Sequence, residues 1–272
     1  MSTYALDNAS THGAAHLGGL TGLFDGFTCS RIAESARLAG ARCLEFGAGN
    51  GSVARWLADQ VGPSGSVTAV DLDVAHIPAH DRLTVSQLDL VEQPPPDGPF
   101  DLIHGRCVMT HLPNRAALLP ALCERLAPGG TILIEDFDPF GVDRAAHLLH
   151  APASPGSPVS PVDVAALWNR YVHLREELFR ESGTEKLFIT RIPRLLLDLG
   201  LDEVQAVTWC RSWHGGEPGS WHARATLQQF RPRLLERGFP AEAIDVLVRA
   251  LDDPDFYSAG RPLCSVSGRA PS

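Results

Sequence analysis

Leu44-Glu45-Phe46-Gly47-Ala48-Gly49-Asn50-Gly51 decides how this chain is read. A short apolar run ending at Phe46 stops in three glycines, each separated from the next by one residue. Residues 52–61 then take helical spacing, with Val53, Trp56, Leu57 and Val61 on one face. Glycine reaches backbone conformations closed to other residues and lets a ligand approach the main chain. A strand, a glycine turn and a helix in that order therefore mark a nucleotide-like binding turn. Working outward, residues 66–70 predict a second strand ending at Asp71, residues 83–88 a third ending at Asp89, residues 100–104 a fourth and residues 131–134 a fifth. Before the fifth strand a helix is expected from Asn114, as N-cap, to Ala127, kinked at Pro120 and stopped by Pro128-Gly129-Gly130. This alternation predicts an α/β fold with a doubly wound, mostly parallel seven-stranded sheet.

The flanks divide the chain into an N-terminal helical segment (1–40), a binding core (41–140), a helical insertion (141–200) and the remainder of the sheet and its helices (201–272). The insertion opens with a Pro/Ser-rich loop over 151–162 and continues as an amphipathic helix over 163–181, with Val164, Leu167, Trp168, Tyr171 and Leu178 as its stripe. It is expected to cover the substrate side of the sheet. Beyond it, residues 201–213 read as a strand, 227–237 and 241–251 as helices, and 262–267 as a closing strand.

A chain of 272 residues buries roughly three quarters of its unfolded surface, enough for a full core. A net charge of -9 argues against a nucleic-acid partner, whose phosphates need clustered Lys and Arg. Lys186 is the only lysine and sits in a polar stretch, which removes a Schiff-base mechanism from consideration. No run of apolar residues reaches membrane-spanning length, and no basic leader precedes an apolar segment. The six cysteines form no CxxC pair and read as free thiols, so a cytoplasmic setting is expected.

Charge then selects among nucleotide-like ligands. A dinucleotide turn reads G-x-G-x-x-G, whereas the third glycine here comes one residue early. Glu45, at the strand end, would repel a pyrophosphate and attract an ammonium or sulfonium, by about 4 kcal/mol at roughly 4 Å and an effective dielectric near 20 before desolvation. That sign favours S-adenosylmethionine over NAD. Asp71 stands where it reaches a ribose diol, and Asp89 where it accepts from an adenine amino group with Leu90 over the ring. Each acid alone reads better as a strand-end cap; at successive strand ends they read as a site.

With these residues in order, residues 41–138 resemble the core of class I S-adenosylmethionine-dependent methyltransferases. Leu44 to Gly51 is similar to that family's glycine motif, Ala69-Val70-Asp71-Leu72-Asp73 to its ribose-binding acidic motif, and Gln87-Leu88-Asp89-Leu90 to its adenine loop. Phe100 to Arg106 resembles its fourth strand, and Leu126 to Ile134 its Pro-Gly-Gly turn and fifth strand. The resemblance implies that Glu45 and Gly47 hold the methionine ammonium side, Asp71 the ribose, and Asp89 and Leu90 the adenine, with Gly49, Asn50, Gly51 and Leu72 also among the cofactor-binding residues. It also implies that the backbone at Gly105 and Arg106 touches the methionine portion, and that the product is S-adenosylhomocysteine. The start of the chain and Phe24-Asp25-Gly26-Phe27 further resemble methyltransferases of small molecules and natural products.

Methyl transfer draws much of its rate from alignment, and a base is needed only for a poorly ionised acceptor. His111, in Met109-Thr110-His111-Leu112-Pro113, is the candidate base; the other reading is a histidine bonded structurally to its loop. Tyr4, Trp168, Tyr171 and Trp213 are candidate substrate-wall residues, with core packing as the alternative. His104 reads as packing inside its strand. No metal is expected, because Asp136, Asp138, His147 and His150 lack further ligands at the required spacing. The substrate is expected to be a small molecule, with no nucleic-acid or membrane partner and a monomer or homodimer as the assembly. A same-fold enzyme that binds the cofactor without methylating, a NAD-dependent oxidoreductase and a ligand-binding module are the competing readings.

Overall fold

The computed structural model describes residues 6, 10, 12–139 and 161–272. In chain order its elements are α1 (Gly13–Ser35), β1 (Arg42–Phe46), α2 (Ser52–Gln60), β2 (Ser66–Asp71), β3 (Leu83–Gln87), β4 (Phe100–Arg106), a 3₁₀ turn (Met109–His111), α3 (Arg115–Cys123) and β5 (Leu126–Phe137). There follow α4 (Pro161–Glu181), α5 (Phe188–Asp198), β6 (Asp202–Trp209), β7 (Trp213–His214), α6 (Pro218–Glu236), α7 (Ala241–Ala250), β8 (Tyr257–Ser258) and β9 (Leu263–Arg269).

These elements fall into two compact units. The sheet unit comprises Asp25–Pro139, Thr184–Trp209 and Leu263–Ser272; the helical unit comprises Met1–Phe24, Phe140–Gly183 and Cys210–Pro262. In the sheet unit seven strands run in the order β3-β2-β1-β4-β5-β9-β6. All pairings from β3 to β5 are parallel, and β9 alone runs antiparallel to both of its neighbours. This is the expected doubly wound, mostly parallel sheet. Alternation along each strand separates the two faces. Leu44, Phe46, Ile103, Ile132 and Ile134 pack with α3 and α5 residues such as Leu118, Leu122, Ile189 and Ile192. Cys43, Val67, Ala69, Leu102 and Leu133 pack on the other face with Ile32 of α1 and Val53, Ala54 and Leu57 of α2. The helical unit has its own core, in which Trp168, Tyr171 and Phe179 of α4 meet Leu227 and Phe230 of α6 and Ile244 and Leu247 of α7.

Several boundaries differ from the sequence reading. The helix expected to run to Ala127 ends at Cys123, three residues after Pro120, and Pro128-Gly129-Gly130 lies inside β5. A Cβ on Gly130 would stand 2.7 Å from the Phe100 carbonyl oxygen, so the glycine lets β5 close against β4 where the register slips. Asn114 is the N-cap of α3, but its side chain makes no cap bond. The strand expected over 201–213 ends at Trp209, and Trp213 pairs instead in the small β7–β8 ladder. Within the insertion expected over 141–200, α4 belongs to the helical unit and α5 to the sheet unit.

Candidate functional site

The glycine turn lies between β1 and α2, at the carboxyl end of the parallel strands. Gly47, Gly49 and Gly51 hold φ angles of 65°, 57° and 76°, which other residues adopt only with strain. Space forbids side chains as well: a Cβ on Gly47 would lie 2.0 Å from Val108 Cγ2, and one on Gly51 2.7 Å from Ile77 Cγ2. The turn's amides are largely committed inside the protein. Gly47 and Ala48 donate to Val70 O, Gly51 donates to Ala48 O, and Gly49 donates to Asp71 Oδ2 at 2.8 Å. A pyrophosphate cradle needs such amides turned to the ligand. This turn therefore offers few free amides to a phosphate. Asn50 Oδ1 accepts from the Ser52 amide at 3.3 Å.

Asp71 closes β2 and serves the turn as well as any ligand. Its two oxygens accept from the amides of Gly49 and Asp73. Burial pushes its carboxyl above the ordinary carboxylate value, against those amide bonds. Leu72 beside it is 42% exposed, a large apolar side chain left for a ligand to cover. Asp89 lies two residues beyond β3 and accepts from the Val91 amide at 2.9 Å, a local Asx turn. Leu90 is buried in the core, so Val91, 38% exposed, is the accessible apolar residue of this loop. Asn114 Nδ2 donates to Leu90 O at 2.7 Å and ties the loop to the start of α3.

Glu45 lends one oxygen of its carboxylate to a contact within the sheet. It is buried, and His104 Nδ1 lies 2.6 Å from its Oε2. The pairing follows from register, since Glu45 stands beside His104 on adjacent strands. On the far side of His104, Glu135 Oε2 stands 3.6 Å from Nε2, a contact of charge rather than a hydrogen bond. Thr28 of α1 donates to Glu135 at 2.5 Å, and Arg106 reaches Thr28 at 2.9 Å and Asp25 at 2.8 Å. Burial alone would lower the His104 pKa; the Glu45 charge, with Glu135 behind it, outweighs burial and raises it to about 9. The layer thus holds two cations against the carboxylates of Asp25, Glu45 and Glu135. Glu45 contributes to the field of the site through this layer, and His104 is an ionic member of it rather than packing.

At Gly105 and Arg106 the resemblance concerns the backbone, and the side-chain positions there are taken up inside the protein. A Cβ on Gly105 would lie 2.3 Å from the Phe46 ring, and the Arg106 side chain is spent on Asp25 and Thr28. Gly105→Ala is accordingly expected to lower unfolding free energy by about 1–3 kcal/mol through overpacking, read as an earlier thermal midpoint. A midpoint equal to wild type would remove the steric account.

His111 closes the 3₁₀ turn after β4, which abuts the glycine turn through the Gly47–Val108 contact. Its Nδ1 lies 3.0 Å from Thr184 Oγ1. The turn is anchored beneath, where Thr110 Oγ1 donates to Asp136 Oδ2 at 2.8 Å and Arg115 reaches Met109 O, Thr110 O and Glu185. Asp136, weighed as a metal ligand, is buried in that anchor. Val108, Ile77, Glu135 and Thr184 lie around these groups without having stood out in the sequence, and Asn114 reads there only as an N-cap.

The aromatic candidates belong to the helical unit. Trp168 and Tyr171 are fully buried and Trp213 is 3% exposed. Trp168 packs at 5.3 Å on Tyr171, 6.1 Å on Trp213 and 5.4 Å on Phe256. They form a core and not an accessible substrate wall. Tyr4, His147 and His150 lie outside the described residues. All six cysteines are free thiols, and among the described residues no helix is long and apolar enough to cross a membrane.

Comparison with known proteins agrees with this geometry. A family model for a methyltransferase domain matches residues 26–175. Methyltransferase str3 of Strobilurus tenacellus is 41% identical over 101 residues, 36% of this chain and 35% of that protein. Arsenite methyltransferase of Aquipseudomonas alcaligenes is 31% identical over 193 residues, 65% of this chain and 54% of that protein. The chain thus spans between about a third and about half of the length of these curated relatives. Among solved structures, phosphoethanolamine N-methyltransferase 2 of Haemonchus contortus, in complex with phosphomonomethylethanolamine and S-adenosylhomocysteine, superposes with a TM-score of 0.54 at 18% identity. The superposition covers 97% of this chain and 59% of that one, and shows the shared fold. With more than half of its residues matched by the family model, the chain belongs to the methyltransferase-domain family, the class I S-adenosylmethionine-dependent methyltransferases.

Proposed function

We propose that this chain transfers a methyl group from S-adenosylmethionine to an O, N or C nucleophile of a small, natural-product-like molecule. The observation that carries the reading is the glycine turn whose amides are committed internally beside Asp71 and the exposed Leu72. Such a turn suits a cationic nucleoside better than a pyrophosphate. Asp71 would take the ribose diol, the Asp89–Val91 loop the adenine, and the glycine turn the methionine side. S-adenosylmethionine bound there would supply an electrophilic methyl carbon on its sulfonium, which Asp71, the Asp89–Val91 loop and the glycine turn would hold towards the acceptor. The chain's own part is to hold the acceptor in line and exclude water, with His111 as the polar side chain of the turn after β4. Six free thiols fit a reducing compartment such as the cytoplasm, and a net charge of -9 fits the absence of a nucleic-acid partner.

Calorimetry tests the reading directly. S-adenosylmethionine and S-adenosylhomocysteine should bind at micromolar level and NAD should not; tight NAD binding with no response to either adenosyl compound would overturn it. Asp71→Ala should weaken both adenosyl compounds by about 1–3 kcal/mol, through the lost ribose contact and the loosened turn. Formation of S-adenosylhomocysteine with a panel of hydroxylated aromatic, amine and carboxylate acceptors then separates methyl transfer from a non-methylating use of the cofactor.

A further inference from the structure

An asparagine at the start of a helix ordinarily accepts, through its side-chain oxygen, an amide of the helix's first turn. Asn114 stands at that position before α3, yet its side chain makes no such bond. It is spent instead on the loop after β3, where Nδ2 donates to Leu90 O at 2.7 Å, while Oδ1 is buried without a partner among the described residues. The side-chain amide is thus held by the Leu90 carbonyl alone. That carbonyl belongs to the Leu90–Val91 peptide, whose other end is fixed too, because the Val91 amide donates to Asp89 Oδ1 at 2.9 Å. The Leu90 side chain lies in the same core as Leu118 and Leu119 of α3. One peptide plane is therefore clamped at its oxygen, at its nitrogen and through the side chain before it. The clamp leaves two groups of the loop unbonded among the described residues: Asp89 Oδ2, an acceptor, and the Leu90 amide, a donor.

We propose that Asn114 is a positioning residue for the base of the cofactor: by holding the Leu90 carbonyl it sets how the Asp89 carboxylate and the Leu90 amide meet a purine, and so makes the site selective for a 6-aminopurine. This rests on the methyltransferase reading, which it deepens. A 6-aminopurine edge presents an amino donor beside a ring-nitrogen acceptor, and Asp89 Oδ2 and the Leu90 amide are their complements. A 6-oxopurine reverses both, turning an oxygen and a ring N–H to the same edge. Groups built to bond one pattern reject the other, because the mismatched polar groups are left unpaired. The rejection is only as sharp as the peptide is fixed. Without the bond from Asn114 the peptide can turn and relax the mismatch.

Calorimetry on the full chain with S-adenosylhomocysteine and with S-inosylhomocysteine, its 6-oxopurine counterpart, measures the selectivity. Wild type should prefer the adenine compound by about 100-fold or more. Asn114→Asp is nearly isosteric and replaces the donor to Leu90 O by an oxygen. The adenine compound should then bind about tenfold more weakly, and the preference should shrink to about tenfold. The same substitution puts a carboxylate at the start of α3, where it can cap the helix and suits its dipole, so the thermal midpoint of the unliganded protein should hold or rise. Selectivity falling while stability does not is a pattern that a merely structural role cannot produce. Both compounds weakened equally, at an unchanged preference, would overturn the assignment. If Asn114→Asp fails to fold, Asn114→Ala, which also lacks the donor, carries the same comparison. No binding of S-adenosylhomocysteine to wild type would sink the methyltransferase reading and this inference with it, whereas binding with a preference that Asn114→Asp leaves intact would sink only the role of Asn114.

Discussion

His104→Leu should lower the unfolding free energy by about 3–5 kcal/mol, the usual consequence of removing one member of a buried ionic group and leaving the others uncompensated. The leucine fits the strand, yet it strips the cation from between Glu45 and Glu135, both of which are buried. Glu135 Oε1 already has no hydrogen-bond partner among the described residues, so little else is at hand to solvate that carboxylate. A variant replacing Glu45, His104 and Glu135 together with apolar residues should regain much of the loss, because an apolar layer carries no desolvation cost. The pH dependence supplies a second check. A histidine raised to about 9 in the fold contributes stability that is complete below 6.5, its unfolded value, and lost as pH climbs through 9. Wild type should lose stability across that window and His104→Leu should not. A loss under 1 kcal/mol with the alkaline limb unchanged would show that the layer is not ionic.

This layer also marks where the sequence stops being legible. The glycine turn, the five parallel strands and the acids after them can be read because each depends on local pattern: apolar alternation, a break in glycine, a charge at a strand end. Glu45 reads as facing the ligand because its position relative to the turn is local too. Its partner is not local. His104 is 59 residues away and reaches Glu45 only through the β1–β4 register. A signal does exist, since Glu45, His104 and Glu135 are polar residues at alternating positions beside buried Cys43, Leu102 and Leu133, and that parity puts all three on one sheet face. Thr184 leaves no such trace, being 73 residues from His111 on another segment. The aromatic residues of α4 show a different limit. A helical stripe fixes which side of a helix is apolar, but a protein core and a substrate satisfy that side equally well.

The acid limb of stability should be set by two histidines of the helical unit, and its amplitude should match the His104 effect. His16 and His222 lie with ring centroids 4.4 Å apart, and His16 Nδ1 is 3.2 Å from Thr226 Oγ1. Burial lowers His16 from 6.5 to about 4, and burial together with the neighbouring His16 and Arg261 lowers His222 well below its ordinary value. Burial governs His16, and burial with neighbouring His16 and Arg261 governs His222, in contrast to His104, where carboxylates favour the charged form. Both rings therefore stay neutral in the fold down to a pH at which the unfolded chain has already taken up protons. The stability this represents is intact above 6.5 and is lost as pH falls from there towards 4. For His16 the fall from 6.5 to about 4, at about 1.36 kcal/mol per tenfold in proton affinity, comes to about 3 kcal/mol, and His222 adds to it. Urea titrations at pH 7.0, 6.0 and 5.0 should show a steepening decline, blunted in His16→Gln and further in His16→Gln with His222→Gln. Carboxylate protonation cannot imitate this, since it would leave the glutamine variants as acid-sensitive as wild type. An unfolding free energy that stays flat between pH 6.5 and 5, or a double variant that declines as wild type does, would show that the pair takes up its protons without opening the helical core.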